Sequence, residues 1–203
     1  MEIKKFLEKL SSATPTPGGG SASALAGALS ASLILMTVGL SVKKGGLKQE
    51  EIKEIKKNVL RIQKRLFRAV EEDARSYEAV LRAVRLPKDT ERERVIRTKS
   101  IQKAFKGATI TPQLVCRHSL QLLEYAKALI LKGNPKAISD AGVAAYLANT
   151  ALQGGLLNIV INLGPIRDPS FRKKMHALAG KLKKRKNQII SQVERALSGA
   201  LST

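Results

Sequence analysis

Tryptophan is missing from this chain of 203 residues, and aromatic residues of all kinds make up 3% of it. Stacking platforms for single-stranded nucleic acid are therefore scarce. Cysteine occurs once, at Cys116, which excludes an internal disulfide and a cysteine-based metal cluster. The two histidines, His118 and His176, have no metal-like or triad-like neighbour in sequence, so no metal site is expected. An export signal is missing too: charged Glu2, Lys4, Lys5, Glu8 and Lys9 precede a hinge and not a short apolar core with a cleavage site. Without disulfides or a signal, the expected compartment is the cytoplasm.

Strand signals are almost absent, and helical periodicity takes their place. Met1 to Leu10 carries Ile3, Phe6, Leu7 and Leu10 as a short amphipathic helix. From about Lys48 to Arg85, the residues Ile52, Ile55, Val59, Ile62, Leu66, Ala69 and Val70 keep a three-four spacing with Lys and Arg outside, and Leu86-Pro87 ends that helix. A helix over Thr90 to Lys106 has Glu91 just inside its start and Gly107 as punctuation. The next, Gln113 to Lys132, opens after Pro112 and closes at Gly133-Asn134-Pro135; two more cover Ser139 to Leu163 and Phe171 to Leu201. No internal repeat or long linker divides them, and the length suffices for a sizeable core. The expected fold is all-α, one multihelical domain over residues 1–203, with two charge-poor helices, 20–42 and 139–163, inside.

The stretch from Thr14 to Val42, TPTPGGGSASALAGALSASLILMTVGLSV, is the most distinctive. Pro15 and Pro17 discourage helix up to that point, and Gly18, Gly19 and Gly20 let the backbone approach a neighbour or a ligand. Unpaired N–H groups at the start of the next helix favour an anion. This is no Walker loop, because Ser-Ala-Ser follows Gly20 and no GK[ST] stands at the required spacing. Ala22 to Leu40 also has the length of a membrane span, with small residues at four-residue intervals. Its serines and alanines lower its hydropathy below that of a Leu/Ile/Phe span, which favours a buried helix and no membrane.

A net charge of +21 is concentrated in Lys43 to Lys106 and in the run Arg172 to Lys186. Nucleic acid, a polyanionic small molecule and solvated helix faces all fit such a field. With no zinc-finger or RNA-recognition motif, nucleic acid is not the favoured partner.

In the second inner helix, Asp140 stands at the start, where a carboxylate can cap free N–H groups. Gln153, Asn158 and Asn162 sit in apolar surroundings, the two asparagines four apart on one face. Burying an unpaired amide costs about 1–3 kcal/mol, so each needs a partner in the protein or in a ligand.

Four segments taken together, ATPTPGGGSASALAGALSASL, EEDARSYEAVLRAVRLPK, the run from TPQLVCRHSL to NIVINL, and IRDPSF, resemble the cyclodeaminase/cyclohydrolase family in order. The resemblance covers roughly Leu7 to Phe171. It implies an all-α subunit that forms a homodimer and handles a tetrahydrofolate with a one-carbon unit between N5 and N10, with no cofactor beyond that substrate. No transferase domain lies within these residues, so the two-domain form of the family is not expected.

Both family reactions pass through a tetrahedral carbon between two nitrogens. A cyclohydrolase adds water to the bridging carbon of 5,10-methenyltetrahydrofolate; a cyclodeaminase lets N10 attack a formimino carbon and expels ammonia. Each needs a proton mover and negative charge near a cation, tasks that suit a carboxylate. Asp73 and Asp140 match the family-like segments and are the catalytic candidates, with salt bridging or capping as the alternative for either. Asn158 and Asn162 are expected to read the pterin ring. Gly18, Gly19, Gly20 and Ser21, or Lys88, are expected to meet the carboxylates of a glutamate tail, which in folates often carries several glutamates; close subunit packing is the alternative for the glycines.

Overall fold

The computed structural model describes residues 2–42 and 44–201. Met1, expected to open the first helix, and Lys43, expected to begin a basic stretch, lie outside the described residues. Seven α-helices are described: α1 (Ile3–Leu10), α2 (Gly19–Ser41), α3 (Gln49–Val84), α4 (Glu91–Ala108), α5 (Ile110–Lys132), α6 (Ile138–Leu163) and α7 (Pro169–Leu201). A 3-10 turn, Pro135–Ala137, leads into α6.

The expected stripe of α3 is the buried one: Ile52, Ile55, Val59, Ile62, Leu66, Ala69 and Val70 all face the core. Each fully buried Ile, Leu or Val there contributes about 1.5–3 kcal/mol. At the start of α4 the Thr90 hydroxyl accepts from the Glu93 amide at 3.2 Å, while the Glu93 carboxylate accepts from the Thr90 amide at 2.9 Å. Glu93, not Glu91, therefore completes the capping box.

Two expected boundaries move. Gly107 lies inside α4, and the break comes at Thr109, whose hydroxyl donates to the Lys106 carbonyl at 2.8 Å. α5 begins at Ile110, so Pro112 sits in its first turn, where a missing N–H costs nothing.

α2 lies at the centre, packed by α3, α5 and α6. It runs antiparallel to α3, with Ser21 donating to the Val70 carbonyl and Gln63 to Ser32, and antiparallel to α6, with Ser30 donating to the Ala144 carbonyl at 2.7 Å. Small residues set the spacing. A Cβ on Gly27 would meet Leu66 Cδ1 at 2.9 Å, and one on Gly155 would meet Cys116 Sγ at 2.6 Å. The hydroxyls along α2 are satisfied within the fold: Ser23, Ser32 and Thr37 donate back along their own helix, and Ser41 accepts from the Asn134 amide.

The two charge-poor helices are central but not wholly inside, which corrects the expectation. Half of the most apolar stretch of α2 is buried and 39% of that of α6, and both helices are long and apolar enough to cross a membrane by length and composition. Leu29, Met36 and Leu40 on α2, and Val143, Tyr146, Leu157, Val160 and Ile161 on α6, remain exposed. Charged α3 and α7 turn their buried apolar stripes toward the core, and these outer strips stay open among the described residues.

Candidate active site

The first turn of α2 lies close against α3 at Asp73. Gly18 is the N-cap in extended conformation, without a side-chain cap, and Gly19, Gly20 and Ser21 form the first turn. Such a turn carries unpaired N–H donors and the positive end of the helix dipole. Asp73 fills that position from α3. A Cβ on Gly20 would lie 2.5 Å from Asp73 Cγ, and the buried Ser21 hydroxyl is 2.8 Å from the Val70 carbonyl and 3.1 Å from Asp73 Oδ2. Only glycine allows the carboxyl this near the helix axis.

Burial pushes the Asp73 carboxyl above its ordinary value, and the Ser21 hydroxyl and backbone N–H pull part of the way back. A carboxyl raised by burial and steadied by a neighbouring donor is suited to take up and return a proton, which is the requirement for acid–base work. The group that meets the Ser21 hydroxyl and N–H at this glycine-rich helix start is thus this chain's own Asp73 side chain.

The far end of α6 closes the other side. A Cβ on Gly19 would stand 3.9 Å from Asn158 Nδ2, and one on Gly154 would stand 3.0 Å from Ser23 Cβ. Asn158 donates to the Gly154 carbonyl at 2.8 Å, and Asn162 donates to the Ala108 carbonyl at 3.0 Å. Both half-buried amides have protein partners, and each keeps its side-chain oxygen for another donor. Gln153, expected in apolar surroundings, is exposed.

A groove of about 520 Å³ leaves this corner between α3 and α4, lined by Ser76, Arg82, Leu86, Ser100, Lys103 and Gly107 among others. Ser76 is one turn from Asp73 and donates to its carbonyl at 2.7 Å. Ala108, also in the wall, is the residue that holds Asn162. The groove leads past Arg82 and Lys103 to Leu86, at the start of the α3–α4 connection that carries exposed Lys88; Arg94 and Arg97 of the first turns of α4 lie beside that lysine. Its size suits a small organic ligand. Sequence reasoning missed the groove, Arg82, Lys103 and Gly154; the Gly154-Gly155 pair was the available signal for a close helix crossing.

The connector into α7 fixes the wall. Gln102 donates to the Pro165 carbonyl and accepts from the Arg167 amide, each at 2.8 Å. Lys106 pairs with Asp168 at 2.7 Å and lies over the Phe171 ring. Asp168, held well below the usual carboxylate range chiefly by that lysine, also accepts from the Phe171 amide and the Ser170 hydroxyl.

Asp140 is not part of this cluster. It lies in the first turn of α6, about 18 residues and roughly 27 Å along the helix from Asn158. Nor does it cap: the N-cap position is Ala137, without a side-chain cap bond, and the neighbouring turn is capped by Asn134. Cys116 is fully buried with its thiol pushed up to about 12 by desolvation, so it packs and does not react.

Known proteins resemble this chain in sequence, and one solved structure resembles it in fold. The chain is 36% identical over 176 residues to methenyltetrahydrofolate cyclohydrolase of Methylorubrum extorquens, covering 85% of this chain and 84% of that one. It is 29% identical over 191 residues to the formimidoyltransferase-cyclodeaminase of Rattus norvegicus, covering 92% of this chain but 35% of that longer protein. The crystal structure of formiminotetrahydrofolate cyclodeaminase from Thermotoga maritima superposes with a TM-score of 0.89 at 27% identity, over 99% of this chain and 98% of that one. The formiminotransferase-cyclodeaminase family profile matches residues 2–181, and the chain belongs to that family.

Proposed function

We propose that this protein is a folate one-carbon enzyme, a methenyltetrahydrofolate cyclohydrolase, in which Asp73 moves the proton. The observation that carries the reading is the desolvated Asp73 carboxyl at the start of α2, beside a groove with basic residues along its length. The M. extorquens relative is named for this reaction.

The substrate's bridging carbon is electrophilic because it shares a positive charge with N5 and N10. Water adds to that carbon and its proton passes to the Asp73 carboxylate. The neutral tetrahedral adduct then breaks its bond to N5; Asp73 returns the proton to that nitrogen, and the adduct's hydroxyl proton leaves to solvent as the formyl carbonyl forms. Asp73 is a carboxylate when the ring system is cationic and an acid when N5 departs. The amide oxygens of Asn158 and Asn162 would accept from a pterin, while the groove would take the remainder of the folate. Arg82, Lys103 and Lys88 would meet tail carboxylates, and the positive field would gather them.

The second reading, formiminotetrahydrofolate cyclodeaminase, is favoured by the activity for which the T. maritima protein is named and by the names of the animal relatives. In that reaction Asp73 would protonate the departing ammonia. Loss of methenyl absorbance without added ammonia supports the hydrolase; ammonia release from the formimino substrate without that hydrolysis supports the deaminase.

A homodimer belongs to the same proposal. α2 and α6 pack against each other and each leaves an apolar strip exposed, and a second copy of the same surface would cover them.

A further inference from the structure

The Ser21 hydroxyl has one proton and two oxygen neighbours, the Val70 carbonyl at 2.8 Å and Asp73 Oδ2 at 3.1 Å. A carbonyl only accepts, so the contact with Val70 exists only while Ser21 donates to it. In that state the approach of Asp73 is a hydrogen bond only if Asp73 carries a proton and donates it to Ser21. When Asp73 is ionised the same hydroxyl must turn, because a bond to a charged acceptor is the stronger one. Ser21 is fully buried, so no exposed surface of the residue offers a competing water.

We propose that Ser21 is the positioning residue for proton transfer, its hydroxyl turning from the Val70 carbonyl to Asp73 each time Asp73 gives up its proton. This rests on the reading that Asp73 moves the proton. The turn costs one neutral hydrogen bond and gains one charge-assisted bond, so the carboxylate left behind is met at once, without water.

Other charges do not supply this effect. α2 carries no charged residue, the first two turns of α5 carry none from Ile110 to Cys116, and α6 carries none from Gly154 to Leu163. The charged residues sharing the groove are Arg82 on α3 and Lys103 on α4, and neither is among the causes of the Asp73 shift.

The test is a carbon-13 NMR titration of the Asp73 carboxyl, assigned by its disappearance in Asp73→Asn, in the wild type, Ser21→Ala and Ser21→Thr, with steady-state kinetics alongside. In Ser21→Ala the carboxyl is expected to titrate at higher pH, with kcat down at least ~10-fold and KM within a factor of about two. In Ser21→Thr, which keeps the hydroxyl, both are expected near wild type. An unchanged Asp73 titration in folded Ser21→Ala overturns the proposal, and so does a loss confined to KM. Should the alanine variant fail to fold, Ser21→Cys, a weaker donor, must shift the titration upward for the proposal to stand. Failure of the Asp73 reading is told apart by Asp73→Asn itself: if that variant turns over normally, the underlying assignment falls whatever Ser21 does.

Discussion

Gly20 and Asp73 are partners by exclusion: the α2 backbone and the α3 carboxyl share a space in which a Cβ would lie 2.5 Å from Asp73 Cγ. The absence of a side chain at position 20 is what lets the carboxyl reach the start of a helix. Gly20→Ala must push Asp73 outward while leaving the remaining contacts of α2 in place. A displacement of about 1 Å at a reacting group costs on the order of 100-fold in turnover. That loss of kcat is expected with an unchanged helical circular dichroism spectrum, and near-normal turnover would show that the position of Asp73 is unimportant.

Burial of Asp73 also has a signature in stability. Its folded value stands above the ordinary 3.8, so the folded state holds the proton at a pH where the unfolded chain has lost it. Stability is therefore undiminished below the ordinary value, falls as pH rises through the raised folded value, and stays lowered above it. Asp73→Asn cannot ionise. Its melting temperature relative to wild type is expected to climb across that window and then level off; a constant difference from acid to neutral pH would contradict the raised value.

How much of this is legible in the sequence differs from element to element. The α3 stripe can be read residue for residue, because a one-sided apolar pattern over many turns has no other use in a soluble helix. The start of α5 reads three residues late, because Pro112 looks like a boundary although the first turn tolerates proline. Asp73, Gly20 and Ser21 each stand out singly, but their mutual contact spans roughly fifty positions and no local pattern encodes it. Asp140 ranks with Asp73 in the sequence because both lie in family-like segments, and only the antiparallel course of α2 and α6 separates them.

Close helix contact at Gly155 yields a paired prediction. A Cβ there would lie 2.6 Å from Cys116 Sγ and 3.1 Å from the Pro112 carbonyl, whereas one on Gly180 meets nothing within 4 Å. Overpacking in Gly155→Ala is expected to cost about 1–3 kcal/mol, or roughly 2–4 °C in Tm per kcal/mol. Gly180→Ala, in the exposed interior of α7, is expected to gain about 0.5–1 kcal/mol from helix propensity. Thermal melts of the two variants should move in opposite directions.

The outer strips of α2 and α6 predict an assembly. Leu157 is 71% exposed and Ile161 72% exposed, one turn apart on α6. Sedimentation is expected to give twice the 22.0 kDa of one chain. Leu157→Asp, which puts a charge in that surface, is expected to return the protein to one chain while leaving its helix content unchanged. A wild type that sediments as a monomer at micromolar concentration would remove the dimer from the account.

Asp73 itself offers the most direct test. The measurement is steady-state hydrolysis of 5,10-methenyltetrahydrofolate by wild type and Asp73→Asn, with Asp140→Asn beside them. Asp73→Asn is expected to lose at least ~100-fold in kcat, while Asp140→Asn, far along α6, stays within about threefold. Full activity in folded Asp73→Asn would contradict the assignment of proton transfer to this carboxyl.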